Sequence, residues 1–189
     1  MKKVFLSLLA LTAFTATQAQ GSDTVKFGVK AGVQFTNFAG DDAGFGESWD
    51  PKTGFFIGGL VDLPVSGNFH VQPELMYSME GATVGDTGAG ELDYGVSYLR
   101  IPIMAKYYII QGLSLQAGPE IAFKVGTAED YGDENIKSMD FGIGAGAGYE
   151  LPMGLMFDIR YNLGLSNISE SSDVDVNNTG LQLGVGYRF

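Results

Sequence analysis

Apolar residues fall on every second position in eight stretches of the chain. Within Phe69–Met79, the residues Phe69, Val71, Pro73, Leu75, Tyr77 and Met79 share one parity, and His70, Gln72, Glu74, Met76 and Ser78 the other. The same split sets Leu99, Ile101, Ile103, Ala105 and Tyr107 against Arg100, Pro102, Met104 and Lys106. It sets Leu115, Ala117, Ile121, Phe123 and Val125 against Ser114, Gln116, Gly118, Glu120 and Lys124. Phe141, Ile143, Ala145, Ala147 and Tyr149 alternate with Asp140, four glycines and Glu150. Leu155 to Leu165 alternate with Met156, Asp158, Arg160, Asn162 and Gly164, and Leu181 to Phe189 with Gln182, Gly184, Gly186 and Arg188. Phe27 to Phe35 oppose Lys26, Gly28, Lys30, Gly32 and Gln34. Gly54–Asp62 is the least regular stretch, because Phe56 and Leu60 fall on its small and polar parity. Two is the side-chain period of a strand, so the pattern predicts eight of them.

The connections alternate in kind. They are tight between Asp62 and Phe69, Ile110 and Leu113, and Leu151 and Leu155, where Gly, Pro, Ser or Asn supply turn residues. They are long between Asn37 and Thr53, Gly81 and Tyr94, Gly126 and Met139, and Ser166 and Thr179. Short and long connections in strict alternation predict an antiparallel up-and-down meander, with both ends of the chain at the short-turn end and the first strand paired with the last.

A soluble sandwich also alternates. What separates the two readings is the polar parity, which carries Lys26, Lys30, Arg100, Lys106, Lys124, Arg160 and Arg188 together with Asp62, Glu74, Glu80, Glu120, Asp140, Glu150 and Asp158. Seven charges of each sign, deep within strands, predict a narrow lumen filled by mutual ion pairs. The apolar parity is bulky and carries Tyr77, Tyr107, Tyr149, Tyr161 and Tyr187, as the aromatic girdle of a lipid-facing barrel does. The stretches also outrun the five or six residues usual in soluble sheets. The expected fold is therefore all-β, an eight-stranded antiparallel up-and-down transmembrane β-barrel. Eight strands leave an interior barely wide enough for side chains. Inward Gly142, Gly144, Gly146 and Gly148 make room for larger residues opposite. That glycine run lacks the spacing and the following helix of a nucleotide loop.

The first residues break the pattern. Lys2 and Lys3 precede an apolar core from Val4 to Phe14, then Thr17-Gln18-Ala19-Gln20. This order reads as a secretory signal peptide over 1–19, cleaved after Ala19, leaving a barrel domain over 20–189. Without the two lysines, nine basic residues stand against 22 acidic ones, a net charge of −13. Such a chain does not seek nucleic acid, whose phosphates require Lys and Arg. The chain contains no Cys and one His, which excludes disulfides, thiolate metal sites and multi-histidine zinc sites.

Several motifs resemble one family. Phe69-His70-Val71-Gln72-Pro73-Glu74-Leu75-Met76-Tyr77-Ser78, Tyr98-Leu99-Arg100-Ile101-Pro102, Ala117-Gly118-Pro119 and the terminal Gly186-Tyr187-Arg188-Phe189, together with the signal peptide, resemble the PorT-like outer membrane β-barrel family. More distantly they resemble small barrels of the OmpX and OmpA type. The resemblance implies the fold and a place in the cell outer membrane, and transfers little activity. The terminal Tyr187 and Phe189 look like the signal that barrel-assembly machinery reads.

Candidate chemistry is sparse. His70 is the one possible catalytic histidine, beside a short turn with Gln72 and Glu74 on its face, and reads as a lumenal hydrogen-bonding residue. Acids crowd the long connections: Asp41, Asp42, Glu47, Asp50, Asp86, Glu91, Asp93, Glu129, Asp130, Asp133, Glu134, Glu170, Asp173 and Asp175. Glu129-Asp130-Tyr131-Gly132-Asp133-Glu134-Asn135 is the best candidate for calcium, but it does not match an EF-hand loop and reads as a solvated surface. Trp49, near Phe45, is an adhesive aromatic or a headgroup anchor. The expected protein is thus a non-enzymatic outer membrane barrel without a cofactor, in contact with the lipid bilayer and the assembly machinery. Its acidic extracellular loops serve a structural or surface-interaction role. The alternatives are an accessory component of a protein secretion system, with envelope or secretion partners, and a small-solute pore, which the charged, narrow lumen disfavours.

Overall fold

The computed structural model describes residues 24–39, 49–84, 92–127, 137–166 and 177–189. They form eight strands: β1 (Lys26–Ala39), β2 (Trp49–Ser66), β3 (Phe69–Val84), β4 (Leu92–Ile110), β5 (Leu113–Thr127), β6 (Met139–Glu150), β7 (Leu155–Gly164) and β8 (Asn177–Arg188). Each pairs antiparallel with the next, and β1 closes on β8 from Gly28↔Arg188 to Ala39↔Asn177. Closure removes both sheet edges, so every strand has a backbone partner on each side.

The observed facing follows the sequence parity. Leu75, Ile103, Leu115, Phe141, Phe157 and Val185 point outward and remain exposed, as do the five tyrosines of the expected girdle. Tyr107, Tyr149 and Tyr187 share the short-turn rim, through the pairs Phe69↔Tyr107, Leu113↔Tyr149 and Leu155↔Tyr187. An outward Leu or Phe left in water forgoes about 1.5–3 kcal/mol of burial, so a continuous band of them requires an apolar solvent.

The strands run further than the apolar alternation suggests. Trp49, Asp50 and Asp93, expected in long connections, lie in strands, through the pairs Trp49↔Val84, Asp50↔Thr83 and Thr83↔Asp93. The ladder depends on backbone groups, which continue to pair beyond the level where the surroundings demand apolar side chains. β2 likewise continues past Asp62 to Ser66, leaving Gly67 and Asn68 as a two-residue turn. Gly112, in the β4–β5 turn, has a φ of 86°, and a Cβ there would lie 2.5 Å from the Glu150 carbonyl oxygen, so this turn needs glycine. The proposed signal peptide, the calcium candidate 129–135, Phe45 and the remaining loop acids lie outside the described residues.

Phe56 and Leu60 keep their parity and are buried in the lumen. A Cβ on Gly32 would lie 2.8 Å from the Phe56 ring, and one on Gly184 3.2 Å from it. The irregularity of β2 is thus a large side chain filling space left by glycines of β1 and β8. The inward glycines of β6 act as expected: a Cβ on Gly144 would lie 3.1 Å from Arg160 Cδ and 2.8 Å from Asn162 Oδ1.

Candidate functional site

Among the described residues, polar and charged side chains gather in the lumen, where they are arranged in three tiers. In the middle tier, Lys30 of β1 donates to Glu74 Oε2 at 3.3 Å and to Asp158 Oδ2 at 3.0 Å. Arg160 of β7 donates to Glu74 Oε2 at 2.9 Å and Oε1 at 2.7 Å, and to Gln116 Oε1 of β5 at 3.2 Å. Gln72 donates to Glu74 at 2.7 Å, and Lys106 of β4 to Gln72 at 3.0 Å. Side chains from β1, β3, β4, β5 and β7 therefore form one network across the barrel. Their low-dielectric setting strengthens each contact and makes an unpaired member expensive.

Toward the long-loop end, Arg100 gathers three carboxylates: Glu80, Glu120 at 2.8 Å and Asp140 at 3.7 Å. Ser78 and Asn178 also donate to Glu80. The Arg100 guanidinium lies 5.5 Å from the centroid of the buried Tyr98 ring, a cation–π arrangement. At the short-turn end, Arg188 pairs with Asp62 and Glu150 and donates to the Tyr108 hydroxyl at 3.0 Å. His70 Nδ1 stands 2.6 Å from Asp62 Oδ1, and its ring meets that of Tyr108 edge-on at 4.8 Å.

The expected mutual ion pairs are present, and several acids share one cation. All seven lumenal carboxylates are in ion pairs, with Lys30, Arg100, Arg160 and Arg188 among their cations and His70 beside Asp62. Lys106 bonds an amide instead, and its ammonium lies 5.3 Å from the Tyr108 ring centroid. Lys26 is exposed at the short-turn mouth. Arginine dominates because its planar fork reaches two carboxylates at once. Tyr108 was given no role by the sequence reading, although its parity puts it inside, and Asn178, expected in the long connection from Ser166 to Thr179, lies in β8 and is buried.

Voids within the tiers are small, about 20 Å³ beside Lys30 and Asp158 and about 10 Å³ beside Glu80 and Asn178. These are the sizes of a single water. Among the described residues, no hydrogen bond joins His70 to a serine or threonine hydroxyl, and no cluster of three or more His, Asp or Glu is placed to hold a metal ion.

The family model of the outer membrane protein beta-barrel domain matches residues 18–170. The chain belongs to that family. Its place is the outer membrane, and its apolar outer surface lies in the lipid bilayer. Solved structures of similar fold include Neisserial surface protein A, with a TM-score of 0.60 at 12% identity, covering 88% of this chain and 99% of that one. Ail of Yersinia pestis, solved in complex with the heparin analogue sucrose octasulfate, has a TM-score of 0.53 at 16% identity, covering 87% and 99%. OprG of Pseudomonas aeruginosa has a TM-score of 0.50 at 14% identity, covering 91% and 99%. No curated protein matches the sequence. These likenesses concern the fold. In this outer membrane barrel the positions of the family-resembling motifs are now explicit: Gln72, Glu74, Arg100 and Pro102 build the lumen, while Leu75, Tyr77 and Ile101 face outward.

Proposed function

We propose that this protein is a non-enzymatic outer membrane barrel that acts through its surfaces, engaging cationic partners with acidic extracellular loops. The observation that carries the reading is the ion-paired network filling the lumen from β1 to β7. A barrel filled in this way has no passage for a small solute, which leaves its two ends. In barrels of this kind short turns face the periplasm and long loops the exterior. Residues 40–48, 85–91, 128–136 and 167–176 contain twelve Asp and Glu and no Lys or Arg. All four segments connect strands at the same end, so their charge accumulates there and attracts cations over a Debye length of about 8 Å at physiological ionic strength. The same charge repels polyanions of the sucrose octasulfate kind.

The finer assignments rest on the sequence. They are membership of the PorT-like group, a signal peptide over 1–19, and recognition of Tyr187 and Phe189 by barrel-assembly machinery. A role beside secretion proteins draws on that resemblance alone. The test is a reconstituted vesicle assay with fluorescent oligolysine, run beside planar-bilayer recording. The expected result is saturable, salt-sensitive binding that falls at least tenfold when the twelve loop acids become Asn and Gln, with no large steady conductance. Equal binding by that variant, or a stable porin-sized channel, refutes the reading.

A further inference from the structure

The short-turn mouth is a bowl of about 710 Å³, walled by the β2–β3, β4–β5 and β6–β7 turns. That volume is in the range of small-molecule sites. We propose that it binds an organic carboxylate carrying an apolar body. The site lies at the end opposite the acidic loops and does not depend on what they bind.

The floor is preorganised. Arg188, Glu150, Asp62, Tyr108 and His70 hold one another, so both mouth carboxylates are already engaged. Lys26 is different. Its ammonium is exposed at the rim, and no carboxylate ion pair reaches it among the described residues. Lys106, behind the Tyr108 ring, is bonded to Gln72 and not to an acid. The charged side chains that line the bowl are Lys26 and Arg188 against Glu150, an excess of one positive charge. A concave wall of low dielectric focuses that excess into the bowl.

One surplus charge suits a monoanion. A dianion would leave a negative charge unpaired near Glu150. Ile110, Leu151 and Pro152 line the turn side of the same bowl and offer apolar contact to the rest of the ligand. Lysine binds a carboxylate as a compact point charge, without the two-armed geometry of arginine, which here is already used.

The experiment is an NMR titration of the ¹⁵N-labelled protein in detergent micelles with N-acetyl-leucine, its amide, and an octapeptide ending in leucine with a free or amidated C-terminus. Binding of the acids and not the amides is expected, with shifts confined to the turns around Asn68 and Gln111. Lys26→Gln, an exposed substitution that leaves the floor intact, should weaken binding about tenfold, the effect of losing one charge-assisted hydrogen bond. Tighter binding of the octapeptide identifies the carboxylate as a chain end, and equal binding identifies it as a free small molecule. Three results would each overturn the site: no saturable shift with either acid, equal binding of acid and amide, or an unchanged affinity in Lys26→Gln that still folds.

Discussion

Arg160 and Glu74 face each other across the lumen, 86 residues apart in sequence, and meet through two parallel hydrogen bonds of 2.9 and 2.7 Å. Both side chains are almost fully buried, at 1% and 0% exposure. The pair ties β3 to β7, strands that share no backbone hydrogen bonds. It is a cross-brace within a closed ladder.

Glu74→Ala should lower folding stability by about 3–5 kcal/mol, since it leaves the Arg160 and Lys30 charges buried with less compensation. The double variant Glu74→Met with Arg160→Met should lose less than the sum of its single changes, because neither charge is then stranded. Urea titrations in lipid vesicles measure Glu74→Ala, the two single Met variants and the double variant, and strict additivity of the Met changes would show that the pair is not coupled.

Arg at Leu75 or Ile101 should cost about 2–4 kcal/mol if either lies near the bilayer midplane. Both side chains point outward, Leu75 at 53% exposure. Arg at the neighbouring lumenal Gln72 acts differently, by overfilling the network around Glu74 and Lys106. The comparison uses the same vesicle titrations, with Ser172 in a long connection as the reference position. Equal tolerance of Arg at Leu75 and Ser172 would contradict the outward assignment.

Deletion of Phe189 separates assembly from stability. The Phe189 ring is 60% exposed and stacks on Tyr187 at a centroid distance of 6.5 Å, while its backbone N–H donates to the Phe27 carbonyl at 2.9 Å. Such a residue contributes few packing contacts. If the assembly machinery reads it, the variant should accumulate unfolded and protease-sensitive in the periplasm, yet fold into detergent once purified. Heat-dependent gel mobility reports both cases. Normal insertion in cells removes the signal role, and failure in both settings indicates lost stability.

The parity of Leu75 and Glu74 was legible in the sequence because strand geometry is local. Successive side chains must point to opposite faces, whatever the rest of the chain does. The same locality made the eight strands and the alternation of tight and long connections readable, and with them the closed meander. Position along the lumen is another matter. That Arg160 meets Glu74, or that Arg100 collects Glu80, Glu120 and Asp140, depends on the stagger accumulated over several strand pairings, and no single stretch encodes it. Equal numbers of charges predicted mutual ion pairs, but that Arg100 and Arg188 each gather several acids while Lys26 stands at the mouth was decided by the closed barrel. The placement of Phe56 over Gly32 and Gly184 was likewise decided only when closure brought β2 and β8 to either side of β1. Facing is fixed by a residue's own strand, but partners are fixed by the register of all eight, and only the closed barrel sets that register.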